Sequence, residues 1–177
     1  MREEKKEKKE NVQPKKSSVE EEIGDLSPVE NHIALEFLAE VTEQMGLSLD
    51  ITAKEGGESL YIDIQGKDSG TIIGKRGQTL DAIQYLCSLV ANKSSENYVR
   101  IVIDAENYRE RREDALVTLA KRTAQKATKY KKNMIIEPKN PYERRIIHGA
   151  LTNYHNIKTE SVGQGKDRRL TIYYVEE

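Results

Sequence analysis

Two glycines enclosing two cations, Gly74-Lys75-Arg76-Gly77, form the densest chemical signal in this 177-residue sequence. The grouping suits the holding of phosphate. Glycine tolerates positive φ at a tight junction and lacks the Cβ that would keep a sugar-phosphate backbone at a distance. A helix beginning at Gln78 would aim its free N–H groups and positive dipole end at the phosphates that Lys75 and Arg76 attract. Ile72 and Ile73, just before the loop, are expected to supply an apolar floor for bases. The four residues alone are a weak signal, because the same pattern can simply end one helix and start the next. The phosphate loop of nucleotide hydrolases, G-x-x-x-x-G-K-[ST], is excluded at two positions. Ser69 stands where its first glycine belongs, and Arg76 replaces the magnesium-binding hydroxyl.

A second cationic group lies near the C-terminus, where Arg144 and His148 are four residues apart with Arg145 beside them. On a helix that spacing puts Arg144 and His148 on one face, leaving Ile146, Ile147 and Leu151 to point inward. Such a cluster can contact phosphates and stack on bases. The plainer alternative is that Arg144 pairs with a carboxylate and His148 is a satisfied polar residue. The neighbourhood favours polyanions: residues 120–145 hold nine basic residues, Lys121 among them, against Glu137 and Glu143. Residues 23–65 are the opposite, with nine acids against Lys54 alone, so the near-neutral total charge conceals a strong segregation.

Enzymatic chemistry finds little support. With His32, His148 and His155 as the histidines and Cys87 as the lone cysteine, no zinc spacing exists, and the basic region lacks the grouped carboxylates of a metal-dependent nuclease. The expectation is a protein that is not an enzyme, with no cofactor, no metal and no small-molecule substrate. A single cysteine in an apolar helical stretch reads as a buried small hydrophobe in a reducing compartment. No apolar run reaches the length of a membrane span and the N-terminus is charged, so a cytoplasmic location is expected.

These groups need elements to position them. Residues 1–27 are charged and nearly free of apolar side chains, which reads as a disordered linker. Ser27-Pro28 with Glu30 signals a helix N-terminus, and apolar positions from Val29 to Met45 carry that helix to Gly46. Alternation over Leu47–Ala53 and Leu60–Ile64 around Gly56-Gly57 reads as a β-hairpin. A short helical piece leads into the loop, and Gln78–Asn92 forms a helix with Leu80, Ile83, Leu86, Cys87 and Val90 inward. A strand follows at Tyr98–Ile103, then a long helix from Asp104 or Asn107 to about Lys129 with Leu116, Leu119, Ala120 and Ala124 as its apolar stripe. An extended MIIEP segment, a helix over Pro141–Asn153 and two strands around 158–162 and 169–175 complete the chain.

The order α-β-β-α-α-β around SGTIIGKRGQTLDAIQYLCSLVANK resembles a KH domain of type II topology, over about residues 28–104. NPYERRIIHGALTNY, after the helix opening NYRERREDAL and before Arg168-Arg169, resembles an R-3-H domain over residues 105–177. The tandem is similar to the Jag family of bacterial proteins, also called KhpB. Its members usually carry a further small N-terminal domain ahead of a charged linker. Residues 1–27 resemble the linker alone, so the expectation is either a short form or a truncated piece of a longer chain, and nothing that domain does is carried over. The resemblance implies an α+β fold of two small α/β sandwiches in tandem. It also implies binding of single-stranded RNA, with single-stranded DNA as the alternative, and a role as RNA chaperone or post-transcriptional regulator linked to cell shape, cell wall and division. Ile72, Ile73, Gly74, Lys75, Arg76 and Gly77 are the expected contacts in the first domain, and Lys121, Arg144, Arg145, His148, Arg168 and Arg169 in the second. A small single-KH protein is the expected partner. The alternative reading is a protein-interaction scaffold that uses the acidic face of residues 29–65 and binds nucleic acid incidentally.

Overall fold

Leu60, Ile62 and Ile64 alternate with Tyr61, Asp63 and Gln65, so β3 (Ser59–Gln65) has one apolar face on which helices can dock. In the computed structural model, which describes residues 26–93, 97–137 and 140–176, β3 lies inside a sheet of order β1-β2-β3-β4. β2 (Asp50–Gly56) pairs antiparallel with β3, Ile51 opposite Ile64 and Ala53 opposite Ile62. β4 (Arg100–Ala105) runs parallel to it, Leu60 opposite Ile101. The parallel pair requires a crossover, supplied by α2 (Ser69–Ile73) and α3 (Gln78–Asn92) with the glycine loop between them. Leu38, Leu60, Ile64, Ile72, Leu80, Cys87 and Ile103 form the buried centre of this half. Burial pushes the Cys87 thiol up to about 11, as suits an inert small hydrophobe.

The first helix begins later than its sequence signal. Ser27 and Pro28 are instead β1, paired with Glu55 and Lys54 on the edge of β2, and Val29 N donates to Ala53 O at 3.1 Å. Proline loses nothing at a sheet edge, and the open edge of β2 outcompetes the local capping signal. α1 (Ile33–Gln44) starts behind His32, whose Nδ1 accepts from Ala34 N at 3.1 Å. Its end is the expected one: Gly46 at φ 69° donates to Glu43 O, and Leu47 N donates to Thr42 O. The expected charged linker lies, as far as residue 25, outside the described residues.

The second half is a three-stranded antiparallel sheet of order β5-β7-β6, built from β5 (Met134–Ile136), β6 (Ile157–Val162) and β7 (Arg169–Tyr174). It is covered by α4 (Tyr108–Tyr130) and α5 (Pro141–Leu151). Leu116, Ala120, Ala124 and Ala127 of α4 meet Ile147, Leu151, Leu170 and Ile172 in its core. Two expected inward positions are corrected. Leu86 of α3 and Leu119 of α4 are exposed, and Ala91 and Ala127 are buried in their helices. Each assigned leucine is one residue from a buried position, and one residue turns a helix side chain by about 100°.

Candidate nucleic-acid interface

α2 ends because Gly74 takes φ 68° and ψ −163°, a conformation open only to glycine. A single turn over Lys75–Gly77 follows, with Arg76 left-handed at φ 60° and Gly77 at φ 80°. Both glycines are also fixed by packing. A Cβ on Gly74 would lie 2.0 Å from Thr79 Oγ1, and one on Gly77 would lie 2.6 Å from the Tyr108 ring. Gly77 is the N-cap of α3, which no side chain caps, so this helix end is left to solvent or a ligand.

Lys75 is exposed and forms no ion pair among the described residues. Arg76 is engaged: its guanidinium pairs with Glu137, just past β5 in the second half. Ile72 and Ile73 do not form an open apolar floor. Ile72 has no exposed surface and Ile73 is 9% exposed, because the sheet needs the apolar face of α2 for its core.

The first turn of α4 belongs to the first half. Arg109 Nη1 reaches Asp81 Oδ1 at 3.1 Å, its Nη2 reaches Gln84 Oε1 at 3.0 Å and its Nε donates to Ile103 O at 3.3 Å. The Tyr108 ring lies against Gly77, and its hydroxyl is buried without a hydrogen-bond partner among the described residues. Burial raises the pKa of this phenol, with Arg112 opposing the shift.

In the second half, Asn140 caps α5 by accepting from Glu143 N at 2.7 Å, and Pro141 occupies the first helical position. The pattern N-P-Y-E has the form of a capping box, yet the glutamate turns to α4 instead. Its carboxylate, 6% exposed, takes Arg112 Nε at 2.7 Å, with Arg112 Nη2 also 2.7 Å from the same oxygen. Both acids of the basic stretch thus hold a specific arginine each.

The expected contacts of this half are distributed over two sides of α5. Lys121 and Arg145 line a groove of about 490 Å³ between α4 and α5, with Tyr142 exposed at its rim. His148 faces β6, its Nδ1 sharing a hydrogen bond of 2.5 Å with Thr159 Oγ1. Arg144, one turn before His148, is half-buried and itself engaged. Arg168 and Arg169 are exposed at the start of β7. Leu170 pairs with Ile136, so they stand at the sheet end that carries Glu137, near the Arg76 contact. Sequence reasoning missed Tyr108, Arg109 and Arg112, although NYRERRE at a helix start carried a basic signal.

A glycine-bracketed loop inside a parallel crossover, followed by a cation-faced helical pair on a small sheet, defines a KH unit joined to an R-3-H unit. The KH domain of KhpA/KhpB matches residues 32–103, and the R-3-H domain matches residues 114–174. RNA-binding protein KhpB of Clostridium symbiosum is 48% identical over 141 residues, which are 78% of this chain and 64% of that protein. RNA-binding protein KhpB of Bacillus subtilis is 36% identical over 160 residues, 89% of this chain and 76% of that protein. The protein of that name from Lactiplantibacillus plantarum is 30% identical over 137 residues, 77% of this chain and 42% of its own length. The chain belongs to the KhpB family. It spans less than two thirds of the Clostridium relative and about three quarters of the Bacillus one. Among the described residues no helix is long and apolar enough to cross a membrane.

Proposed function

We propose that this chain binds single-stranded RNA through the Gly74–Gly77 loop and the cationic surfaces of α4, α5 and the start of β7, as a cytoplasmic RNA chaperone or post-transcriptional regulator. The observation that carries the reading is the loop: two glycines hold Lys75, which has no ion pair among the described residues, at the uncapped N-terminus of a 15-residue helix. That the relatives are RNA-binding proteins by name supports RNA as the ligand. The loop presents backbone and charge with no base-reading side chain, so it holds the strand without selecting sequence. Lys121 and Arg145, together in the α4–α5 groove, extend the contact, with Arg144, His148, Arg168 and Arg169 around it. A role in cell shape, cell wall and division is what the family resemblance adds.

Lys75→Asp is the cleanest test, because Arg76 also clips the two halves together. The melting temperature should hold while affinity for a short oligoribonucleotide falls roughly tenfold, about 1.4 kcal/mol. Unchanged affinity would remove the loop from the site. The same titration with DNA of equal sequence separates the two polymers, since the 2′-hydroxyl distinguishes them.

A second reading is favoured by the outer face of α3. Tyr85, Leu86 and Leu89 are 64%, 45% and 51% exposed, an apolar stripe of the kind that pairs with another protein. It fits a small single-KH partner better than the acidic surface of residues 29–65 does. Such pairing should persist in salt that abolishes phosphate binding, and Leu86→Glu should abolish it while sparing RNA affinity.

A further inference from the structure

Next to the loop, an open cleft of about 530 Å³ lies between α2 and the first turns of α4. One wall is α2 and the loop: Ser69, Gly70, Ile73 and Gly74. The other is the outer face of α4, where Tyr108, Arg111, Arg112 and Ala115 recur at the three- and four-residue spacing of one helical stripe. Among the described residues no carboxylate lines it, in contrast to the cleft beside α1, whose walls include Glu30 and Glu36.

The chemistry of the lining points to an anion with a flat apolar part. Arg111 is exposed, and its guanidinium makes no ion pair among the described residues. Glu143 fixes Arg112 from behind. Tyr108 contributes the face of a ring, its hydroxyl being buried. On the opposite wall, a Cβ on Gly70 would meet nothing within 4 Å, so space and bare backbone face each other there. The volume is within the roughly 300–1,000 Å³ usual for small-ligand sites.

We propose that this cleft is a composite nucleotide subsite, in which one nucleotide of an RNA strand leaving the Gly74–Gly77 loop sits between α2 and α4, its phosphate on Arg111. This rests on the RNA-binding reading above. Gly74 belongs both to the loop and to the cleft, so a strand held by the one runs directly into the other. The first turns of α4 are then part of the binding surface of the KH half, which is incomplete without them.

The test uses the full chain and a labelled oligouridylate of about eight nucleotides, twice the roughly four that a KH loop holds. Gly70→Leu fills the cleft at a helical position with free space and no positive φ. Arg111→Ala removes the charge. Each should weaken binding roughly five- to tenfold at an unchanged melting temperature, and Arg111→Ala should also reduce the salt slope by about one. If both variants bind within about twofold of the unaltered chain while Lys75→Asp has lost binding, the cleft is overturned and the loop stands. Weakening in the cleft variants with Lys75→Asp unaffected would overturn the loop, and with it the path of a strand from the loop into the cleft. Failure of the unaltered chain to bind the probe even at low salt would overturn both.

Discussion

The two halves hold their cations by different means. In the KH half the geometry is made by backbone: Gly74 and Gly77 adopt positive φ and let Thr79 and Tyr108 come close, and Lys75 projects from a turn that needs no partner. In the R-3-H half it is made by side chains. Arg112 is fixed by a buried carboxylate, Glu137 reaches back to Arg76 of the loop, and Lys121 and Arg145 stand on a helical pair packed over Ala120, Ala124 and Ala127. A single substitution should therefore act differently in each: strain from an added Cβ in the first half, an orphaned charge from a lost carboxylate in the second.

Glu143→Ala should have the largest effect on stability. It leaves Arg112 partly buried and unpaired, at a cost of about 3–5 kcal/mol, and thermal unfolding should show a drop of at least roughly 12 °C in the R-3-H half. If the drop is under about 2 °C, side-chain pairing is not what holds this half together. Next in size is Gly77→Ala, which adds a Cβ where φ is 80° and the Tyr108 ring is close. About 1–3 kcal/mol of destabilisation is expected, and pairing it with Tyr108→Ala should recover the part due to collision. The smallest effect should come from Glu137→Gln. Its ion pair is exposed, so stability should change by less than about 1 kcal/mol, yet affinity for oligoribonucleotide should rise because Arg76 no longer carries a competing carboxylate. A fall in affinity measured by titration would show that the clip orients the loop rather than occupying it.

The elements most legible in the sequence were those whose signals are local. α3 begins after Gly77 and runs to Asn92 as its periodicity requires, and Asn140-Pro141 marks the start of α5. Ser27-Pro28 misled for a physical reason: a capping signal reaches three residues, whereas the edge of β2 that captures this segment lies more than twenty residues away. The site was legible as a set of cations but not as a set of pairs. Arg76 and Glu137 are 61 residues apart and Arg112 and Glu143 are 31 apart, and no periodicity reports such contacts. Tyr108 was hidden because the ring that makes Gly77 necessary comes from beyond β4.

α4 has 23 residues, about 35 Å of continuous helix. Its first turn is fastened to α3 by Arg109, and its later turns carry the second core. No slack chain therefore separates the loop from the basic groove. On the proposed RNA-binding reading, a strand held at one end would meet the other at a distance already set, with no linker entropy to lose on the second contact, so two weak grips would act as a fixed-span clamp whose dwell time reflects their product.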